Sequence, residues 1–352
     1  MMETEKKHAW LSELPMVDLH VHLDGSVRPH TLRELALEQG NRNPLSGESD
    51  ARLLQLMQID EGCASLVEYL GKFDFVLPYL QTASALERVA YETVVQSADH
   101  NGRYLEVRFA PMLHTRKGLK ADEVIAHVLA GLKRGERELG VTTRGIAICM
   151  RHHGEADNLQ VVDAAADYRK RGLVAVDLAG DEAHYPPQLH EEVFRRAGRY
   201  GLPVTIHAGE AAGAENIATA VNRLGAARIG HGVRARENPD VLKLVRDGGI
   251  PLELCPVSNI QTKAVSAWEH YPVREYFDQG LVLTINTDNP TVSGTCLQRE
   301  YAVLAERFGF GKEEVAALIM NGIQAAFLEK EAKQKLAGQF RTRFRKLGIR
   351  VS

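Results

Sequence analysis

The residues best able to do chemistry are histidines lying at the ends of short apolar runs. Residues 16–22 read Met-Val-Asp-Leu-His-Val-His. In a strand, residues two apart share a face, so His20 and His22 present both imidazoles to one side. Two further runs, Thr205-Ile-His-Ala-Gly-Glu and Arg228-Ile-Gly-His-Gly, carry His207 and His231, and a run over 282–287 stops just before Asp288. Neutral imidazole is a common zinc ligand. Catalytic zinc takes a small set of protein ligands and keeps one position open for water. His20, His22, His207 and Asp288 can supply that set. Glu210 lies three residues beyond His207, past the end of its run. A carboxyl desolvated there by substrate is held protonated and acts as a general acid; taken alone, it reads as a first-turn Glu favoured by the dipole of the next helix. His231 sits between two glycines, which suit a strand interior poorly and leave room for a ligand. It either orients or deprotonates water and stabilises the developing charge, or it serves as a fourth nitrogen ligand.

Groups so far apart in sequence meet only if the elements carrying them converge. Eight short runs read as strands: Met16–His22, Tyr104–Ala110, Arg144–Met150, Leu173–Leu178, Pro203–Ala208, Arg228–His231, Ile250–Cys255 and Val282–Thr287. Between them lie stretches with helical periodicity: 85–100, 121–139, 159–171, 191–200, 216–224, 240–247 and 272–279. Val124, Val128, Leu129 and Leu132 give the apolar stripe of a helix docked on a sheet. Several of these stretches stop at Gly (140, 172, 201, 249), which suits a left-handed C-terminal cap. Strand–helix alternation implies parallel pairing through right-handed crossovers. Eight such units fit a closed (β/α)8 barrel, whose active sites are built at the C-terminal strand ends. Those ends read His20-Val-His22, Arg108, Arg151, Asp177 with Gly180, His207, His231, Cys255 and Asp288. We expect one barrel domain over 1–352. Residues 26–82 form an insertion over the barrel mouth, and the tail from 312 onward is helical. Its basic run, 340–350, reads as a solvated helix face.

Composition narrows the function classes. In 352 residues, 44% are hydrophobic and 25% charged, an ordinary globular balance. Forty-three Lys and Arg against 46 Asp and Glu leave a net charge of −3, so no basic field points to nucleic acid or an anionic membrane. The longest apolar runs are far too short to span a bilayer, and the opening residues have no apolar signal region. Four dispersed cysteines form no CxxC pair. A reducing cytoplasm is the expected location.

The ordered motifs PMVDLHVHLDGSV, VAVDLAGDE, VTIHAGE, RIGHG, LCPVSN and TINTDNP span residues 15 to about 291. In that order they resemble the adenosine/AMP deaminase family of metal-dependent amidohydrolases, and Asp24 in His-Leu-Asp-Gly points to the adenosine deaminase branch. The resemblance implies one zinc on His20, His22, His207 and Asp288, Glu210 as proton donor, and His231 as the histidine that helps activate water. Asp288 would orient the hydroxide. Asp24 corresponds to the residue near the ribose hydroxyl and Gly180 to the glycine whose N–H reaches the purine; His22 is expected to touch substrate as well. One position departs from the family. Asn289 stands where many members have Asp, a residue that donates to purine N7, and an amide donates there without an extra proton. The segment 174–180 contains no Lys, which favours one metal over two. The implied reaction is zinc-dependent hydrolysis of adenosine, and of 2′-deoxyadenosine, to the 6-oxo compound and ammonia in purine salvage, with a purine nucleoside as the small-molecule partner. The alternatives are deamination of another 6-aminopurine, such as adenine or aminodeoxyfutalosine, and a non-catalytic zinc-binding barrel.

Overall fold

Eight strands form where the apolar runs fall: β1 (Met16–His22), β2 (Gly102–Phe109), β3 (Thr142–Met150), β4 (Leu173–Ala179), β5 (Thr205–Ala208), β6 (Arg228–His231), β7 (Leu252–Leu254) and β8 (Leu283–Ile285). The computed structural model describes residues 9–38, 44–60 and 62–351. Parallel pairing runs in sequence order from β1 to β4 and from β5 to β8. The two runs join where Val176 bridges Val204 and where Val21 bridges Asp288. At the second junction the Asp288 N–H donates to the His20 carbonyl at 2.8 Å, and the His22 N–H donates to the Asp288 carbonyl at 2.7 Å. The strands therefore close into a (β/α)8 barrel, and its closing seam runs through candidate site residues.

Each strand is followed by a helix on the outer face: α1 (Ala83–Asp99), α2 (Ala121–Leu139), α3 (Glu155–Tyr168), α4 (Glu191–Arg199), α5 (Ala214–Asn222), α6 (Pro239–Asp247), α7 (Val273–Asp278) and α8 (Lys312–Ala325). The stripe Val124, Val128, Leu129 and Leu132 of α2 is buried, as its spacing predicts. A Cβ on Gly131 would lie 2.2 Å from the Glu87 carbonyl oxygen, so α2 can rest directly on α1 only with glycine there. Several strands are shorter than the sequence suggests. Pro203 and Pro251 have no N–H to give a ladder, which trims the starts of β5 and β7. Pro256 opens the short helix Pro256–Gln261 directly after β7. After β8, the Asn286 N–H still donates to the Leu254 carbonyl at 2.9 Å, but the chain then turns into the left-handed region at Asp288.

The segment 26–82 carries the helices Pro29–Glu38, Asp50–Met57, Leu66–Leu70 and Phe73–Val76; its residues 39–43 and 61 lie outside the described residues. The last helix, α9 (Lys330–Lys346), buries Leu336, Ala337, Phe340 and Phe344 and leaves Arg341, Arg343 and Arg345 exposed. The basic run is thus mostly the solvated side of an amphipathic helix. No helix among the described residues is long and apolar enough to cross a membrane.

Candidate active site

The period-two spacing of β1 carries His20 and His22 to its C-terminal end, where β5, β6 and the turn after β8 bring His207, His231 and Asp288 beside them. His22 Nε2 lies 3.3 Å from His207 Nε2 and 3.3 Å from Asp288 Oδ1, and His20 Nε2 lies 3.4 Å from that same oxygen. A tetrahedron with zinc–nitrogen arms of about 2.05 Å has edges of about 3.3 Å, so these separations are those of ligands around one ion. The tautomers agree. His20 Nδ1 lies 2.8 Å from Glu253 Oε2, and His207 Nδ1 lies 3.0 Å from Asp177 Oδ2. Both rings donate outward to a carboxylate and turn a bare Nε2 lone pair inward. His20 Nε2 is buried with no hydrogen-bond partner, an orphaned acceptor facing a carboxylate oxygen unless a cation lies between. His20, His207, His231 and Asp288 also place one donor atom each within 4.8 Å of one another. The geometry therefore gathers five candidate ligands about a single metal site.

Formal charge makes the same point. Glu253 accepts from Arg108 at 2.7 Å and Arg228 at 2.6 Å; Arg108 also donates to Asp177 at 2.8 Å and Arg228 to Glu106 at 2.6 Å. All five are buried. With Asp288, this one network sets four carboxylates against two guanidiniums, an excess of two carboxylates within it. Buried charge persists only when it is compensated, and a divalent cation held by Asp288 and the imidazoles would offset the excess within this network. Arg108 and Asp177 stand out in sequence as polar strand ends. Glu253, Arg228 and Glu106 do not: each is an acidic or basic residue in a strand run, and its ion-pair partner lies at least 25 positions away.

Glu210 follows β5 and is buried. Burial, followed by the charges of Asp288 and Glu182, pushes its carboxyl well above the ordinary carboxylate range, which favours the protonated form. Its Oε2 lies 3.5 Å from His231 Nε2. Sequence reasoning missed what orients His231. Asn259 Oδ1 accepts from the Cys255 N–H at 3.3 Å and the Tyr271 hydroxyl at 3.0 Å. A backbone N–H can only donate, so the Asn259 amide nitrogen is the end facing His231 Nδ1 at 2.9 Å. Nδ1 must accept, and neutral His231 carries its proton on Nε2, towards the site. Burial and the neighbouring His20 hold it well below the usual imidazole range. Ser258 donates to Asp288 Oδ2 at 2.6 Å, leaving Oδ1 to the imidazoles. His231 and Asp288 both adopt positive φ, 62° and 59°, a conformation uncommon for residues with a Cβ and enriched at functional sites.

A cavity of about 310 Å³ opens onto this cluster. Its lining includes His22, Asp24, Gly180, His207, Glu210, His231, Asp288 and Asn289, so every site residue singled out from the sequence except His20 reaches it; His20 lies directly behind. Residues of the 26–82 segment, among them Leu66, Tyr69, Phe73 and Leu77, form one wall. Burial raises the Asp24 carboxyl to about 6. Gly180 has φ of 109°, a region that glycine enters freely. Asn289 Oδ1 is buried without a partner and packs on Gly25, where a Cβ would fall 2.0 Å from it.

The family model for adenosine deaminase matches residues 15–342. An adenosine deaminase from Enterococcus faecalis is 42% identical over 324 residues, 92% of this chain and 95% of that one. The chain belongs to the adenosine deaminase family. Among solved structures, an amidohydrolase from Burkholderia ambifaria with bound Zn superposes with a TM-score of 0.88 at 26% identity, covering 97% of this chain and 93% of that one. An adenine deaminase from Arthrobacter aurescens superposes with a TM-score of 0.85 at 26% identity, covering 94% and 98%. Relatives of both substrate types thus share the barrel, and the deaminases similar along nearly the whole chain at about 40% identity carry the adenosine name.

Proposed function

We propose that this chain hydrolyses adenosine to inosine and ammonia, with His20, His22, His207 and Asp288 holding one zinc ion and Glu210 acting as the acid. The carrying observation is a buried carboxyl standing 3.5 Å from an inward-pointing imidazole nitrogen, at the floor of a cavity that ends on four convergent ligand atoms. When bound, zinc supplies Lewis acidity that lets water ionise near neutral pH. Glu210 gives its proton to purine N1, which draws electrons from C6 and opens it to attack. His231, with Nδ1 held by Asn259, presents Nε2–H and steadies the negative charge of the attacking oxygen. Asp288 Oδ1 aims that oxygen at C6, since Ser258 occupies Oδ2. A C6–O bond forms and the C6–N bond breaks; of the attacking water's two protons one restores Glu210 and the other passes to the amino group, which departs as ammonia and leaves N1–H and a C6 carbonyl. The Gly180 N–H and the Asn289 amide fix the purine, Asp24 accepts from the ribose, and His22 packs against substrate at the cavity floor. The Leu66–Leu77 wall excludes water from the mouth.

Adenosine and inosine absorb differently in the ultraviolet, so zinc-loaded protein is tested directly on adenosine, 2′-deoxyadenosine, adenine and AMP. Turnover of adenosine with the highest kcat/KM supports the proposal, and preference for adenine or AMP overturns it.

A further inference from the structure

One buried carboxylate that the mechanism leaves unused lies beside the site. Glu182, two residues beyond Gly180, is 2% exposed and points across to the turn after β5. Its Oε1 accepts from the Gly209 N–H at 2.8 Å and the Asn216 side-chain amide at 3.1 Å. Its Oε2 accepts from the N–H groups of Glu210, Ala211 and Ala212 at 2.9, 2.8 and 3.1 Å. Four successive backbone N–H groups thus form a nest, an arrangement suited to binding an anion, and the anion is a side chain of the neighbouring strand-end loop. Arg151 ties the same two loops, donating to the Tyr185 carbonyl on one side and the His207 carbonyl on the other, both at 2.6 Å. The clamped turn is the one that carries Glu210.

We propose that Glu182 is a positioning residue for the deamination: its carboxylate holds the 209–212 turn so that Glu210 stands over purine N1, and it locks that turn to the Gly180 loop that reads the same ring. The inference rests on the reading of Glu210 as proton donor. The nest leaves a carboxylate no good substitute. In Glu182→Gln one oxygen becomes an NH2 group, which must face at least two of the five donors, and the turn has to shift to relieve that repulsion. A displacement of about 1 Å at an acid–base group costs about 10²-fold in rate.

The test uses the zinc-loaded full chain. Glu182→Gln should lower kcat by about 10²-fold, with KM within about threefold of the parent and bound zinc unchanged. Glu182→Asp, which keeps the charge but reaches fewer of the donors, should fall between the two; it replaces the glutamine variant if that one does not fold. The decisive comparison is the double variant with Glu210→Gln. A residue that acts through Glu210 has nothing further to lose once Glu210 is gone, so the double variant should be no slower than Glu210→Gln alone. Losses that multiply, or a lower melting temperature with normal kcat, would make Glu182 an anchor for folding only and overturn the inference. Full turnover by Glu210→Gln would instead overturn the proton-donor reading. A dead Glu210→Gln beside a normal Glu182→Gln overturns the positioning role alone.

Discussion

Glu253 connects the proposed metal ligand His20 to the barrel interior, and Glu253→Gln tests that connection. The carboxylate serves four donors: His20 Nδ1 and Arg108 on one oxygen, Arg228 and Thr205 on the other. An amide of the same size keeps one acceptor, so either His20 and Arg108 or Arg228 and Thr205 meet an NH2 group. If it turns to His20, that ring must accept on Nδ1, its proton moves to Nε2, and the inward lone pair is lost. If it turns the other way, Arg228 loses a partner in the dry core. Formal charge gives a second handle. Within this network the two excess carboxylates drop to one, so the substitution relieves repulsion without metal and weakens the offset that a bound divalent cation would find there. Losing an outer partner of a metal-ligating histidine costs about 10–100-fold in affinity, or about 1.4–2.8 kcal/mol. Breaking the buried pair adds a stability loss of up to about 3–5 kcal/mol, offset in the metal-free protein by that relief. Urea unfolding of metal-free and zinc-buffered protein, beside chelator competition for the zinc Kd, separates the two. The variant should lose more stability with zinc than without, by the amount the Kd reports. A zinc Kd within threefold of the parent would refute the charge argument and the tautomer argument together.

Other expectations follow from the same geometry. His20→Ala and His207→Ala should each lose bound zinc by metal analysis, along with turnover; full zinc in either variant removes that residue from the ligand set. Glu210→Gln should keep zinc and lose at least about 10²-fold in kcat. A 7-deaza nucleoside offers no acceptor to the Asn289 amide, so it should react more slowly than adenosine, and Asn289→Leu should harm adenosine selectively; equal losses on both substrates would show that Asn289 only packs the cavity. Outside the site, Glu300 is buried where desolvation raises its carboxyl to about 8 from an ordinary 4.5. Between those values the folded chain keeps a proton that the unfolded chain has released, so stability falls as pH rises through that window. Glu300→Gln has no such proton, and its melting temperature should gain on the parent's from pH 5 to pH 8. A constant difference would count against the raised value.

What the sequence makes legible here follows from how each residue does its work. His20 and His22 are visible because a strand's period of two is a local rule, and two polar rings at that spacing in an apolar run have no packing reason to be there. His207, His231 and Asp288 are visible because barrel topology sends every strand end to one rim, so the order of runs along the chain becomes a ring in space. The strand limits shorten where proline removes an N–H or a positive φ ends the ladder, as after β8, while β2 and β3 begin two residues earlier than expected. Glu253, Asn259 and Glu182 are illegible for the opposite reason. Each is a single polar residue whose partners lie far along the chain or on backbone atoms that carry no sequence label: Glu253 on Arg108, Asn259 on His231, Glu182 on four consecutive amides. Their effects are on tautomer, charge and loop position, which depend on distance and not on spacing. The division has a physical origin. A metal site needs bare lone pairs pointing inward, and a lone pair is kept bare only by a proton held on the other nitrogen. The groups that hold those protons, Glu253 behind His20 and Asp177 behind His207, must therefore sit deeper in the barrel than the ligands. At that depth each carboxylate needs a guanidinium, and Arg108 serves both of them. Buried Arg108 is thus what the proposed histidine ligands at the barrel mouth require of its interior.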